Sequence, residues 1–244
     1  MADRRQILIG AASVAAATTA LGSRAFAAPA PTRPPAQNDI YDYIFADLVP
    51  GSTAPKAFIE GLNQTAAAVR AAGGEPLGYF TPLIGWTSQQ LAVVLRWKGD
   101  GAGREQAVRA IEAHPAVARV ERSKLTATTR PAPTDLPLTR GIYTHRWFDV
   151  RTADVPEFID LSNRAWPAFE REFASRVFGL FRATQTADDA ARGVTRMLLN
   201  TQYDSHAVWE ASRRPSSEPA DLFQRRGDLT LTTRVASIRF NPLG

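Results

Sequence analysis

The chain has 244 residues, 44% of them hydrophobic, with a formal net charge of +5 and no cysteine. The lack of cysteine excludes disulfide scaffolds, thiol nucleophiles and thiolate metal sites. Arginine supplies nearly all the basic charge, and acidic residues are interspersed with it; without a basic cluster or an aromatic-basic motif, nucleic acid is not an expected partner.

The chain opens on Arg4-Arg5, an Ala-rich apolar run to Leu21, and Ala25-Phe26-Ala27 as a small-x-small cleavage site. Residues 1–27 therefore read as a secretory signal peptide resembling the twin-arginine type. The expected address is periplasmic or secreted in a bacterium, with no membrane association after cleavage. Residues 28–38 are a Pro-rich linker.

Asp39 to Leu48 is aromatic and branched, which predicts a strand. Thr53 to Ala72 sets Phe58, Leu62, Ala66 and Val69 on one helical face before Gly73-Gly74. Strands are expected at Leu77–Pro82, Leu91–Trp97 and Val120–Thr129, with a helix at Arg104–Ala113. The run Leu91-Ala92-Val93-Val94-Leu95 is apolar at consecutive positions, as in a strand buried on both faces. A second Pro-rich linker, residues 131–140, precedes another unit at 141–244. There the same reading gives strands at Gly141–Val150, Val177–Phe181, Val194–Tyr203 and Asp228–Phe240, and helices at Thr152–Ala174 and His206–Ser212.

The two units, 39–130 and 141–244, echo one another. Arg122 to Arg130 (RSKLTATTR) returns as Arg226 to Arg234 (RGDLTLTTR), with six of nine positions identical. Ile40-Tyr41 returns as Ile142-Tyr143, Phe58-Ile59 as Phe158-Ile159, and Gly78-x-Phe80 as Gly179-x-Phe181. A period near one hundred residues signals a duplicated domain rather than a short-repeat solenoid. Strand-helix-strand-strand-helix-strand, twice, is the order of the ferredoxin-like unit. The expected fold is α+β: tandem ferredoxin-like (βαββαβ) repeats whose sheets face one another and form an intramolecular α+β barrel.

Along the first strand of the second unit, Tyr143, His145 and Trp147 share one face, and Arg146 and Phe148 share the other. Tyr43 and Phe45 occupy the matching places in the first unit. One face looks into the interior and the other toward the helices; the spacing does not say which. His145 is the candidate acid-base residue, and Arg146 the candidate anion clamp, since a buried guanidinium requires an anionic partner. Tyr143, Trp147, Phe148, Tyr43 and Phe45 are the candidate ligand-binding residues. No two histidines fall at ligand spacing, so no metal site is expected. Gly99-x-Gly101-x-Gly103 lacks the third glycine at dinucleotide spacing and reads as a turn. No cofactor is expected.

Ile40-Tyr41-Asp42 and Ile142-Tyr143-Thr144-His145-Arg146, each followed by a Phe-Ile helix and then Gly-x-Phe, resemble the NIPSNAP family of the dimeric α+β barrel superfamily. The likeness spans Asp39 to Phe240. In that family the first strand carries an acidic residue and then an arginine two places on. Here the pair is split, Asp42 being followed by Ile44 and Arg146 preceded by Thr144. The resemblance implies an α+β barrel completed within one chain, as a monomer with an internal pseudo-dimer or as a homodimer. Its wider superfamily holds monooxygenases, haem enzymes, dehydratases and proteins without catalysis. The leading expectation is a binder of a small hydrophobic or aromatic molecule between the sheets. The alternatives are a cofactor-independent monooxygenase or lyase/dehydratase-type enzyme in the same cavity, and a non-catalytic assembly protein.

Overall fold

The computed structural model describes residues 39–132, 135 and 137–243. The signal peptide and leader expected over residues 1–38 lie outside the described residues, as does part of the 131–140 segment. In chain order the elements are β1 (Asp39–Leu48), α1 (Ala54–Ala71), β2 (Gly74–Ile84), β3 (Gln90–Lys98), α2 (Ala102–Glu112) and β4 (Val117–Ala127). Then follow β5 (Gly141–Arg151), α3 (Val155–Glu172), β6 (Ser175–Ala183), α4 (Ala187–Ala191), β7 (Val194–Tyr203), α5 (His206–Ala211), α6 (Ser217–Asp228) and β8 (Thr230–Pro242). Among the described residues, no helix is long and apolar enough to cross a membrane.

All eight strands join in one closed antiparallel barrel, in the order β1-β3-β2-β8-β5-β7-β6-β4. Each half contributes four contiguous strands, β4-β1-β3-β2 and β8-β5-β7-β6, and closure removes the free edges that two separate sheets would carry. The seams are the β2–β8 ladder and a three-pair β4–β6 ladder from Leu125↔Ala183 to Ala127↔Phe181. β1 and β5 therefore stand on opposite walls.

Side chains alternate across this wall, as the pleat requires. The inner face gathers Tyr41, Tyr43, Phe80, Tyr143, Phe181, Phe240 and smaller apolar neighbours into one buried cluster. On the outer face Ile44, Leu91, Val93 and Leu95 pack against Phe58, Leu62 and Val69 of α1 and Val108 of α2. Phe148, Val150, Met197 and Leu199 pack against Phe158, Leu161 and Trp166 of α3. β3 is thus buried on both faces, as its continuous apolar run predicts: Leu91 to Leu95 are all buried.

The register fixes which positions of the halves correspond. Tyr43 pairs with Val94, which pairs with Gly78; His145 pairs with Asn200, which pairs with Gly179. Both glycines follow a one-residue register shift. At Gly78 φ is +155°, and a Cβ there would strike the Asn241 carbonyl and the Phe240 ring. Gly78→Ala is expected to cost about 1–3 kcal/mol through overpacking at the β2–β8 seam, read as a lowered urea midpoint with an unchanged slope.

Two expectations need correction. Ser123 lies opposite Tyr43, whereas Ala236 lies opposite His145. The last strands therefore correspond at 123 and 236, and the nonapeptide echo of 122 with 226 is out of register. Its second copy straddles the end of α6 and the start of β8, because alternating Leu and Thr suit any half-exposed strand. The helix that packs on α3 is α6, which the sequence reading passes over, and not α5. Residues 217–228 are mostly polar and charged, so they lack the apolar periodicity that marks a helix. Their real signals are Ser216 at the N-cap, Pro219 in the first turn, and Arg225 and Arg226 in the last.

Candidate functional site

The inner face of β5 points Tyr143, His145 and Trp147 into the barrel. Tyr43 and Phe45 meet them from the opposite wall, and the Tyr43 hydroxyl lies 3.0 Å from His145 Nδ1. His145 Nε2 lies 3.2 Å from Asn200 Nδ2 on the neighbouring strand. An amide nitrogen only donates, so Nε2 accepts and Nδ1 carries the ring proton toward Tyr43. The imidazole is 1% exposed, and Phe80 packs edge-on against it with centroids 4.3 Å apart. Burial pushes the His145 pKa down to about 3, so the ring is neutral. Burial likewise raises the Tyr43 phenol, which stays protonated.

This pair floors a cavity of about 460 Å³ in one mouth of the barrel. Phe45, Trp86 and Trp147 form its walls, with Trp86 edge-on to Phe45 at 5.0 Å and Trp147 edge-on to Tyr43 at 5.5 Å. Gln90, Glu121, Ser123 and Arg234 supply its polar rim. Glu121 is held by Arg196 at 3.2 Å, and the Arg196 guanidinium lies 5.8 Å from the Trp147 ring centroid. The chain bends into this site at Gly85, whose φ of +95° is open to glycine.

The structure brings His145, Trp147, Tyr43 and Phe45 together at this mouth. Tyr143 shares the inner face but lies elsewhere. Its ring is fully buried beside Phe80 and Phe240, and its hydroxyl donates to the Thr139 carbonyl at 2.9 Å. Arg146 and Phe148 do not join His145. The two-residue period turns them to the outer face, where they line a separate pocket beneath α3 and α6. One molecule in one cavity cannot touch both His145 and Arg146. Trp86, Gln90, Glu121, Ser123 and Arg234 were not visible as site residues, because they come from four segments that only barrel closure assembles.

The residues do not fit a haem. Among the described residues His145 is the only histidine lining either cavity, and both its nitrogens are taken. His114 Nδ1 accepts from the Ala116 amide, and its ring packs on Gly61. His206 Nε2 bonds Ser237 Oγ at 2.9 Å. Among the described residues no group of three His, Cys, Asp or Glu side chains could hold a metal ion.

No family model matches the sequence, and no curated protein does. Solved structures do match. An anthrone oxidase-like protein aligns with a TM-score of 0.60 at 12% identity, over 86% of this chain and 94% of its own. A candidate monooxygenase from Lactobacillus acidophilus aligns with a TM-score of 0.54 at 9% identity, over 85% and 97%. Chlorite dismutase from Candidatus Nitrospira defluvii, in complex with imidazole, aligns with a TM-score of 0.55 at 8% identity, over 84% and 92%. Likeness at that identity shows the architecture. With its closed eight-stranded antiparallel barrel and outer helices, the chain shares the α+β barrel fold of these structures.

Proposed function

We propose that this chain is an exported, NIPSNAP-like α+β barrel protein, built from two tandem ferredoxin-like units, that binds a small neutral aromatic molecule in the mouth of its barrel. The observation that carries this reading is the composition of the mouth: three large aromatic walls over a floor whose one histidine is buried and neutral. Such a site rewards a flat, uncharged guest through apolar burial and edge-to-face ring contacts. The rim groups then orient its polar substituents. The barrel closes within a single chain, so no second copy is needed to complete the cavity.

An enzyme is the second reading, favoured by the likeness to an anthrone oxidase-like protein and a candidate monooxygenase. In that reading His145 takes a proton from a phenolic or activated C–H substrate in a cofactor-independent oxidation or a lyase step. Binding ranks above it on physical grounds. A base whose conjugate acid sits near pKa 3 is a weak proton acceptor, and both its nitrogens are already engaged.

Calorimetric titration with 2-naphthol tests the binding claim. A saturable site is expected, and Trp147→Ala should weaken it by about tenfold, the loss of one aromatic contact together with its buried area. No saturable binding, or binding indifferent to Trp147→Ala and Trp86→Ala alike, sinks it. Oxygen uptake with the same ligand, abolished by His145→Gln, would establish the enzyme instead.

A further inference from the structure

The second cavity, about 510 Å³, lies outside the barrel between the β5–β7–β8 wall and helices α3 and α6. Its walls are aromatic and aliphatic: Phe148 and Leu199 from the strands, Trp166 and Phe169 from α3, Phe223 from α6. Its charge is one-sided. Arg146, Arg213 and Arg226 line it, and no carboxylate does.

Arg226 is 6% exposed, and among the described residues no acidic group pairs with it. Its Nη1 reaches only Ser162 Oγ at 3.4 Å. Its guanidinium is boxed by Phe223, Phe148 and Phe158, at 4.7, 5.2 and 5.6 Å from the ring centroids. Ring faces stabilise a cation but supply no countercharge. Burial first, and then the charge of Arg146, push the Arg226 pKa down to about 9. Burial lowers Arg146 as well, with Arg213 adding to it. Two like charges in one largely apolar pocket, Arg146 half-buried and Arg226 buried, are stabilised by a negative group that completes them. The hydroxyls of Thr144, Thr201, Tyr203 and Ser212 stand in the same lining. The buried Trp166 indole N–H, also of this lining, has no partner among the described residues.

The first half shows what normally fills this role. Asp42 occupies on β1 the place that Thr144 occupies on β5, and Ile44 the place of Arg146, by the strand register. Beneath α2 the buried Asp42 carboxylate neutralises Arg104 at 2.7 Å and Arg122 at 2.9 Å. Beneath α6 the acid is replaced by Thr144 and a further arginine is added. Space has opened where the carboxylate would be.

We propose that the pocket between the outer wall of β5–β7–β8 and helices α3 and α6 binds a small aromatic carboxylate, whose carboxylate group is held by Arg146 and Arg226 in place of the protein acid missing there. Planar, forked guanidinium donors match a carboxylate, and the surrounding rings match an aromatic body. Arg213, exposed at the rim, draws the anion inward. This site is independent of the barrel mouth, since the wall of the barrel separates the two linings.

The test is calorimetric titration of the full chain with 2-naphthoate, its neutral analogue 2-naphthalenemethanol, and inorganic phosphate. The carboxylate should bind, and Arg146→Leu should weaken it by about ten- to a hundredfold, the loss expected for a charge-assisted hydrogen bond. Trp147→Ala should leave that affinity unchanged. The neutral alcohol should show the reverse pattern, so failure of this site and failure of the barrel-mouth reading are distinguishable. Without ligand, Arg226→Met should raise the Tm by about 2–4 °C, as removal of an unpaired buried charge would. Equal weakening of carboxylate and alcohol binding by Arg146→Leu overturns the proposal, as does carboxylate binding indifferent to both arginine variants. Phosphate binding as tightly as 2-naphthoate overturns its aromatic part. A lowered Tm in both arginine variants would show the charges already compensated and overturn its premise.

Discussion

Asp42→Ala should destabilise the protein by about 3–5 kcal/mol, the range for stripping one partner from a buried ion cluster. The Asp42 side chain is wholly buried. Its two oxygens accept from Arg104 Nε at 2.9 Å, Arg104 Nη2 at 2.7 Å and Arg122 Nε at 2.9 Å. The Arg104 side chain is only 3% exposed, so without Asp42 it would lose its buried partner and keep only acids at the solvent side. Glu105 grips Arg122 through both oxygens and Asp100 reaches Arg104, but these acids are about half exposed and lie on the solvent side of the cluster. They soften the loss without replacing the buried acceptor. Asp42→Asn should cost less, since its amide oxygen still accepts. Pairing Asp42→Leu with Arg104→Met should recover much of the stability, because a buried ion pair is expensive to break and cheap to replace by apolar groups. Urea unfolding gives the numbers; an Asp42→Ala loss below about 1 kcal/mol would mean that water already reaches the cluster.

The same cluster marks what sequence could and could not reveal. Strand positions were legible wherever apolar and aromatic residues alternated or ran together, as at Asp39–Leu48 and Val194–Tyr203, which match their observed bounds. Short echoes such as Gly78-x-Phe80 and Gly179-x-Phe181 fell on corresponding positions because neither glycine has room for a Cβ, which would strike the Asn241 carbonyl and Phe240 ring at Gly78 and the Pro131 and Phe181 rings at Gly179. The longest echo misled, since Leu and Thr in alternation satisfy strand propensity without fixing position. The split acid-arginine pair at Asp42 and Arg146 was visible as an oddity. Its meaning was hidden, because pairing of charges between a strand and a helix sixty residues later is set by packing and not by spacing. Likewise the period of two separated His145 from Arg146, yet nothing in the order of residues said which of them faced inward. The helix α6, which boxes Arg226, escaped notice because its packing rests on few apolar residues, Leu222 and Phe223 among them.

His145 should make the protein acid-sensitive in a way that one substitution removes. Its native pKa, pushed down to about 3 by burial, lies below the unfolded value near 6.5. Above that unfolded value both states hold a neutral ring, and no stability depends on it. As pH falls below it, the unfolded chain takes up a proton that the native barrel refuses, so stability drops by about 1.4 kcal/mol per unit until the native pKa is reached. Between pH 7 and pH 4.5 this amounts to about 2–3 kcal/mol, with full burial leaving no solvent screening to discount it. Carboxylates titrate over part of the same window, so the quantity to measure is a difference. The change in unfolding free energy between the two pH values should be smaller by that amount in His145→Gln, which can still hydrogen-bond Tyr43. An equal acid loss in both proteins would mean that the imidazole charges inside the barrel. The functional consequence follows from the same neutrality. Because the floor of the mouth carries no charge, the affinity for a neutral aromatic guest should be flat from about pH 5 to pH 8, whereas a charging histidine would make it fall as the pH drops.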